Sequence, residues 1–356
     1  MNVQVTRCTP DQSRSRPDPN DIGFGRHASD HMFLMEYDEG RGWYDPRIEP
    51  YRPLELDPAA MVLHYNQQIF DGLKAYNLAD GNIGLFRIDR HADRINRSAD
   101  RLMMPRIEPD QIVLAIESLV RVDRDWIPDV PGTSLYIRPT MIATEPALGV
   151  RVSRRYLFYV IAGPAGAYYP EGFNPTRIYV ANENIRAAKG GAGEAKTSGN
   201  YAPTLYVSQD AVDRGYSQVL WLDAKELKYV EEVGTSNIFF VLDNQLVTPP
   251  LEGTILPGVT RDSVLQLARS WNLDVVERPV SIDEVLEGCR NGVVREAFAS
   301  GTAAVVSPIG QIGYDDEDVT ISDGTTGPLS KRLYGEITAI QYGRKPDPFG
   351  WITRVD

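Results

Sequence analysis

The chain has 356 residues, a length above the roughly 250–300 at which a single hydrophobic core stops growing, so we expect two domains. The composition, with 42% hydrophobic and 24% charged residues, is that of an ordinary soluble globular protein. The net charge of −12 argues against nucleic acid or an anionic membrane as the main partner. Cys8 and Cys289 are the only cysteines, which excludes a disulfide framework and a cysteine zinc site. The sequence shows neither a signal-peptide pattern nor an apolar run long enough for a membrane span, so we expect a cytoplasmic protein.

The first half of the chain is predicted to combine short strands with two amphipathic helices. Residues 1–30 are expected to form a partly flexible arm, because residues 9–30 are rich in Pro, Asp, Ser and Arg. Apolar runs and periodicity predict strands at residues 61–64, 83–86, 134–143 and 155–162, and helices at residues 90–102 and 110–122. Arg97 and Arg101 on the first helix are expected to lie on its solvated face.

Glycines and prolines interrupt this pattern at residues 163–172, which favours a linker there. We therefore predict a smaller N-terminal domain at residues 1–165, an interdomain loop at 166–176 and a larger C-terminal domain at 177–356. The strands predicted in the second half are 177–181, 218–222, 226–233, 237–242 and 293–299. The helices predicted there are 201–214, one N-capped by Thr260, one starting at 281–286, and 329–340. Strands and helices mix without strict βαβ alternation, so the fold class predicted is α+β.

Lys196 lies in a glycine-rich run, residues 190–201, and this run allows three interpretations. A flexible surface loop with a solvated lysine is the simplest. A phosphate-binding P-loop is the second, because residues 190–197 nearly match G-x-x-x-x-G-K-[ST]. However, Ala195 replaces the second required glycine, and Pro203 disfavours the helix that should follow the lysine. The third interpretation is a Schiff-base lysine beside an aldehyde cofactor.

The Schiff-base interpretation requires companion groups, and the sequence contains candidates for each of them. A pyridoxal cofactor needs an acid at its ring nitrogen, and Glu232 lies on a predicted strand next to Gly234. It also needs donors for its phosphate, which an arginine and the start of a helix at residues 258–260 can supply. Residues 300–303 form a second small-residue turn with free amides. The pattern therefore favours a pyridoxal phosphate enzyme over a P-loop module.

These segments together resemble the branched-chain amino acid aminotransferases, pyridoxal phosphate enzymes of fold type IV. The resemblance runs through residues 30–33, 65–76, 86–105, 136–150, 194–201, 231–239, 255–261 and 300–303. It implies a two-domain α+β fold with a smaller N-terminal α/β domain and a larger C-terminal, mixed-sheet or barrel-like domain. The activity it implies is transamination of L-leucine, L-isoleucine and L-valine with 2-oxoglutarate.

The resemblance also implies roles at the cofactor. Lys196 is similar to the catalytic lysine that holds pyridoxal 5'-phosphate and moves the proton between Cα and C4′. Glu232 resembles the partner of the pyridine nitrogen, whereas Glu231 is expected to point the opposite way on its strand. Tyr201 resembles the tyrosine that bonds the phenolic oxygen. The other cofactor-binding residues implied are Arg94, Thr235, Val259, Thr260 and Thr302.

The substrate pocket must accept an aliphatic side chain and, in turn, the carboxylate arm of glutamate. Apolar walls alone would leave that carboxylate unpaired, so Arg138 and tyrosine hydroxyls are expected to hold it. The resemblance gives the pocket residues as Phe70, Tyr136, Arg138 and Tyr168, with the Thr302 and Ala303 amides for the α-carboxylate. Without the resemblance, the strand-like patterns around Phe70 and Tyr136 leave a core role as the alternative for both residues. A homodimer is implied, in which Tyr65, Leu148 and Val150 act across the interface.

Some features depart from the family pattern, and alternatives remain. No Cys-x-x-Cys pair follows the turn at residues 300–303, and Ser198 and Ser236 stand where relatives often carry glycine and methionine. The nearest alternatives are a D-amino acid transaminase, an aminodeoxychorismate lyase, or a transaminase for an unusual amino acid. Tyr65, Arg138 and residues 147–150 argue against the first two. The P-loop nucleotide-binding module is the remote alternative.

Overall fold

The computed structural model describes residues 1–18, 21–166, 168, 172–315 and 317–355. Its contacts divide the chain into two compact units. Unit 1 comprises Met1–Tyr168, Ala195–Ser198 and Ala339–Asp356, and unit 2 comprises Tyr169–Glu194 and Gly199–Thr338. The loop predicted at residues 166–176 lies partly outside the described residues, and the domain limits and the flexibility of residues 1–30 stay predictions.

The secondary structure of the described residues mixes strands and helices throughout. The strands are β1 (Gln4–Val5), β2 (His31–Asp38), β3 (Gly42–Pro50), β4 (Gln68–Phe70), β5 (Leu73–Asn77), β6 (Ile83–Phe86), β7 (Ser134–Ala143), β8 (Arg155–Ala165), β9 (Thr176–Val180), β10 (Gln218–Leu222), β11 (Val230–Val233), β12 (Ser236–Leu242), β13 (Gln245–Thr248), β14 (Asp274–Glu277), β15 (Val294–Gly301), β16 (Val305–Tyr314), β17 (Glu317–Thr320) and β18 (Ile352–Val355). The α-helices are α1 (Met61–Tyr65), α2 (Ile88–Arg101), α3 (Pro109–Val122), α4 (Leu205–Asp213), α5 (Val259–Ser270), α6 (Ile282–Asn291) and α7 (Pro328–Gln341). Short 3-10 helices lie at Arg124–Trp126, Ser198–Asn200 and Ala202–Thr204.

Unit 1 is built on one sheet and two helices that cover it. The sheet order is β1-β3-β2-β8-β7-β5-β6-β18, with β4 paired to β7. Helices α2 and α3 bury the apolar stripes that their 3.6-residue periodicity predicts, including Ile95 and Ala99 on α2 and Ile112 and Ile116 on α3. This core fixes the end of β4 and the inner face of α2, where several candidate residues lie.

Unit 2 contains a closed ring of strands. Among the described residues, the sheet runs β11-β10-β9-β16-β15-β12-β13-β14, with β17 on β16, and β11 also pairs with β12. This last pairing joins the ends of the path β11-β10-β9-β16-β15-β12 into a six-stranded barrel, which removes its open edges. Ile178, Leu220, Ile238 and Phe240 fill the interior. The α+β class and the barrel-like second domain are therefore confirmed.

Several predicted elements are confirmed closely. Strands β6, β7 and β10 have the bounds predicted from their apolar runs, and α2, α3 and α7 begin and end within two residues of the prediction. A helix does start at the predicted residues 281–286, where Ser281 caps α6 by accepting a hydrogen bond from Glu284 N. Arg97 and Arg101 are exposed, as predicted for a solvated helix face.

Three local predictions were wrong. Residues 61–64 form helix α1 rather than a strand, because Met61 N bonds to Glu145 O and Asn66 closes the turn in the left-handed region. Gly258, with an extended backbone, is the N-cap of α5, and Thr260 lies inside its first turn. The helix predicted at 201–214 is broken into a 3-10 turn and α4, because Pro203 lacks the N–H that a continuous helix needs.

Strand β11 is shorter than the predicted strand 226–233. The Asp223 carboxylate accepts backbone hydrogen bonds from Lys225, Glu226, Lys228 and Tyr229, which holds the preceding residues in a turn. Within the part of the chain that the structure describes, no helix is both long and apolar enough to cross a membrane.

Candidate active site

The backbone around Lys196 is docked onto the sheet and helix α2 of unit 1. Lys196 N donates to Ser98 Oγ at 2.9 Å, and Phe70 N donates to Lys196 O at 3.0 Å. Thr197 Oγ1 donates to Gln68 O at 2.7 Å. The Lys196 ammonium lies 5.1 Å from the centroid of the Phe70 ring. A lysine held by its backbone on both sides is not a solvated loop residue, so the surface-loop interpretation fails.

Arg94 lies on helix α2, as Ser98 does, and its guanidinium binds the Asp71 carboxylate. Its Nε and Nη2 donate to the two oxygens of the Asp71 carboxylate at 2.8 and 2.6 Å, and His91 Nδ1 lies 2.8 Å from Asp71 Oδ1. Burial alone would raise the pKa of Asp71, but the charges of Arg94 and His91 outweigh it and hold that pKa far below its ordinary value. Burial lowers the pKa of His91. The bidentate contact fixes the plane of the guanidinium predicted to bind phosphate.

Three of the predicted pocket residues lie together in unit 1. The Arg138 guanidinium carbon is 4.8 Å from the Phe70 ring centroid and 5.3 Å from that of Tyr136. Arg138 Nη2 donates to the Tyr136 hydroxyl at 3.0 Å, while Arg138 Nε is buried with no hydrogen-bond partner among the described residues. A Cβ on Gly72 would collide with the Tyr136 hydroxyl, so glycine is required there. Phe70 and Tyr136 are only partly buried, which argues against the core interpretation.

Phe24 contacts two of the predicted pocket residues, and the sequence reasoning missed it. Its ring packs edge-on against Tyr136 at 4.8 Å and against Tyr168 at 4.9 Å. The segment that contains Phe24 runs close to β8. The backbones approach so closely that a Cβ on Gly163 would collide with His27 O. The prolines and charges of residues 9–30 indicated a loose arm, and only the isolated aromatic ring at residue 24 could have signalled a contact.

The residues predicted to act across a dimer interface lie on one surface of unit 1. The Tyr65 hydroxyl donates to Leu148 O, and Ala60 forms a β-bridge with Pro146. Leu148 and Val150 are 68% and 84% exposed. Large apolar side chains at such exposure, grouped in one loop, are typical of a surface that a partner covers.

Glu232 lies in a buried network in unit 2. Its Oε1 accepts hydrogen bonds from Leu256 N at 3.1 Å and from Asn237 Nδ2 at 3.3 Å, and its Oε2 lies 2.6 Å from Arg186 Nε. The Glu232 and Arg186 side chains are only 4% and 7% exposed. The sequence reasoning missed Arg186, whose partner lies on a distant strand.

Glu231 takes a different partner from Glu232, as the alternation of a strand predicts. Its Oε1 accepts a hydrogen bond from Thr254 Oγ1 at 2.5 Å, and its Oε2 has no hydrogen-bond partner among the described residues. Burial raises the pKa of Glu231 to about 6, despite the opposing hydrogen bond from Thr254 and the charge of Arg186. Glu231 is therefore less suited to act as a permanent anion than Glu232, which is held in an ion pair with Arg186.

The hairpin β11–β12 presents Glu232 and ends in the two-residue turn at Gly234 and Thr235. Gly234 has φ +56°, and a Cβ there would force the Gln218 side chain to move, so glycine is favoured at this position. Thr235 is exposed at the tip. Tyr201 is partly buried between two 3-10 turns, and its carbonyl accepts the Thr204 hydroxyl at 2.7 Å.

Two backbone turns of unit 2 supply amide donors. Val259 and Thr260 are the first two residues of α5, and no side chain of the described residues caps this helix start. Their amides therefore belong to the first turn, where N–H groups lack intrahelical partners and favour an anion. Thr302 and Ala303 lie in the turn that joins β15 to β16.

The residues described fit pyridoxal phosphate. Unit 1 holds a docked lysine and a fixed arginine, and unit 2, taken by itself, holds a buried carboxylate and the start of α5, whose residue types are those this cofactor needs. By contrast, the P-loop interpretation needs a helix beginning at the lysine, and residues 198–200 form a 3-10 turn instead. The chemistry of these residues therefore favours a phosphorylated aldehyde cofactor over a nucleotide.

Comparison with known proteins leads to the same class of cofactor. A family model described as amino-transferase class IV matches residues 68–312. Branched-chain-amino-acid aminotransferase 2 of Bacillus subtilis (strain 168) is 52% identical over 342 residues, which cover 96% of this chain and 94% of the relative. The branched-chain amino acid aminotransferase of Escherichia coli has a similar structure, with a TM-score of 0.76, 26% identity, and coverage of 92% of this chain and 99% of that chain.

A second similar structure contains a form of the predicted cofactor. It is the T.th. branched-chain amino acid aminotransferase complexed with N-(5'-phosphopyridoxyl)-L-glutamate, with a TM-score of 0.74, 28% identity, and coverage of 90% of this chain and 98% of that chain. The chain therefore belongs to the class IV aminotransferases, and within them to the branched-chain-amino-acid aminotransferase family. Its cofactor is pyridoxal phosphate, so that prediction is confirmed.

Proposed function

We propose that the enzyme transfers the amino group of L-leucine, L-isoleucine and L-valine to 2-oxoglutarate, giving the branched-chain 2-oxo acids and L-glutamate. The observation that carries this proposal is Arg138 beside Phe70 and Tyr136. Aromatic faces suit an aliphatic side chain, and a permanently charged guanidinium suits the second carboxylate of glutamate. The names of the similar proteins, and the glutamate adduct in one of them, support the same substrates.

Each candidate side chain has a defined task in this proposal. When bound, pyridoxal phosphate supplies the electron-withdrawing ring that makes the Cα–H bond of the amino acid acidic. The Lys196 amine holds the cofactor and then carries the proton between Cα and C4′. Glu232 keeps the pyridine nitrogen protonated, and Tyr201 and Thr235 orient the ring.

The phosphate and the α-carboxylate need fixed donors. Arg94, oriented by Asp71, and the first amides of α5 at Val259 and Thr260 bind the phosphate, with Thr302. The amides of the turn at Thr302 and Ala303 bind the substrate α-carboxylate. Phe70, Tyr136, Arg138 and Tyr168 form the side-chain pocket, and the contacts of Phe24 support its inclusion.

We further propose that the enzyme is a cytoplasmic homodimer. The exposure of Leu148 and Val150, and the hydrogen bond that ties Tyr65 to the same loop, support a partner on this surface. In such a dimer, Tyr65, Leu148 and Val150 contribute to the pocket of the other subunit.

The experiment that tests the function follows the visible absorption of the purified protein. We expect a cofactor band that L-leucine bleaches and that 2-oxoglutarate restores, whereas D-alanine and ATP leave it unchanged. Lys196→Ala should remove both the band's response and all turnover while the protein stays folded by circular dichroism. Bleaching by D-alanine alone would overturn the substrates, and turnover by Lys196→Ala would overturn the role of the lysine.

A further inference from the structure

Arg186 occupies the centre of the buried network around Glu232. Its Nε lies 2.6 Å from Glu232 Oε2. The two groups form an ion pair, but the N–H direction does not meet the geometry of a hydrogen bond. Its Nη2 donates to the carbonyls of Gly193, at 3.3 Å, and Thr254. One guanidinium therefore contacts the strand of the key carboxylate, the loop that leads to Lys196, and the loop that precedes α5.

We propose that Arg186 is a positioning residue that keeps Glu232 ionised and aimed at the pyridine nitrogen of the cofactor. The proposal rests on the role of Glu232 in the proposed function and adds a residue that does not itself touch the substrate. Glu232 can stabilise a protonated pyridine nitrogen only as a carboxylate, so its charge state controls the electron-withdrawing power of the ring.

The donors around Glu232 favour the carboxylate over the carboxylic acid. Leu256 N and Asn237 Nδ2 both donate to Oε1, and Arg186 presents a positive charge to Oε2. A proton on Oε2 would face the guanidinium, which is always protonated. Removal of Arg186 would take the positive charge away from Oε2 of a buried acid that lies next to a second acid, Glu231.

The loop geometry explains why an arginine can make all these contacts. A Cβ on Gly193 would collide with Thr254 O, so glycine lets the two loops approach closely and their carbonyls converge on one guanidinium. Lysine has a single nitrogen and cannot contact Glu232 and both carbonyls in the same way. The contact set therefore requires the planar fork of arginine.

The test is a double-mutant cycle on the full-length holoenzyme with Arg186→Gln, Glu232→Gln and the double variant. Three quantities are measured: the ¹⁵N chemical shift of the pyridine nitrogen in labelled cofactor, the Kd of the cofactor from tryptophan fluorescence, and the rate of the L-leucine half-reaction. We expect Arg186→Gln to shift the ¹⁵N signal toward the unprotonated ring and to slow the half-reaction about 10- to 100-fold, the range typical when an orienting partner is lost. In the Glu232→Gln background the same change should slow it no more than about threefold.

Arg186→Lys and Arg278→Gln complete the design. Arg186→Lys retains the charge and should recover part of the ¹⁵N signal and of the rate, and it replaces Arg186→Gln in the cycle if that variant does not fold. Arg278→Gln removes another arginine–glutamate pair of unit 2, with Glu284, and should match the wild type in all three measurements.

The outcomes separate the two proposals. If Glu232→Gln matches the wild type, the role of Glu232 in the proposed function fails and Arg186 has nothing to position. If Glu232→Gln is slow while the Arg186 variants retain the wild-type ¹⁵N signal and rate, the inference alone is overturned. The inference is also overturned if the rate losses of the two single variants multiply in full in the double variant, because Arg186 would then act independently of Glu232.

Discussion

Arg138 is the residue whose surroundings say most about substrate choice. Its guanidinium lies against the Phe70 ring and donates to the Tyr136 hydroxyl, yet its Nε is buried without a hydrogen-bond partner among the described residues. A charged group in such aromatic surroundings is costly unless an anion pairs with it. The carboxylate arm of glutamate can supply that anion, whereas leucine cannot.

Arg138→Met should therefore separate the two kinds of substrate. We expect kcat/KM for the L-glutamate half-reaction to fall about 10- to 100-fold, since one charged hydrogen bond contributes roughly 1.5–3 kcal/mol. The value for L-leucine should stay within about threefold, because the aliphatic side chain needs no charge. Rapid-mixing spectroscopy of each half-reaction measures both, with Tyr136→Phe as a milder control. Equal losses for the two substrates would contradict the assignment.

At the scale of elements, close backbone approaches decide where glycine is required. Gly193 touches the loop at Thr254, where a Cβ would collide with a backbone carbonyl that cannot rotate away. Gly335, inside helix α7, has nothing within 4 Å of a Cβ built on it. The same residue type thus has opposite effects on stability at the two positions.

Alanine at each of these glycines tests the difference. Gly193→Ala should lower the free energy of unfolding by about 1–3 kcal/mol through overpacking. Gly335→Ala should raise it by about 0.5–1 kcal/mol, because alanine favours a helix interior over glycine. Urea denaturation of the two apoproteins measures both changes. If Gly193→Ala leaves the free energy of unfolding unchanged, the two loops can move apart with little loss of stability, and the prediction is wrong.

At the scale of the whole molecule, the exposed apolar loop of unit 1 bears on the proposed homodimer. Leu148 and Val150 are among the most exposed large hydrophobic residues of the described chain, and the Tyr65 hydroxyl donates to the carbonyl of Leu148. Solvated apolar groups of this size gain roughly 1.5–3 kcal/mol each when they become fully buried. A homodimer would give them that burial and would link assembly to activity.

Leu148→Asp should disrupt this dimer. We expect the variant to elute as a monomer in size-exclusion chromatography with light scattering, and to lose at least about 100-fold in turnover while it stays folded. Met103→Asp is the matched control, because Met103 is also 68% exposed and lies in a left-handed turn that Asp tolerates. It should remain dimeric and active. A Leu148→Asp monomer with full activity would show that the partner contributes nothing to the pocket.

The sequence by itself determined the elements and residues that depend on local pattern. Strands β6, β7 and β10 follow from short segments that run apolar or alternate, and α2 and α3 follow from their periodicity. Lys196 could be singled out because it stands in a glycine-rich run whose residues are too small for a core, and Glu232 because it lies on a predicted strand next to Gly234. The family resemblance then gave both residues their roles as predictions.

Tertiary structure alone decided the contacts that join distant parts of the chain. Arg186 with Glu232, Asp71 with Arg94, and Phe24 with Tyr136 come from separate elements, and no local pattern encodes such pairs. Residues 61–64 show the same limit, because their strand-like composition yields to a helix that bonds to Glu145. Local propensity is worth only tenths of a kcal/mol per residue, whereas leaving one member of a buried ion pair without its partner costs about 3–5 kcal/mol, so the folded contacts prevail.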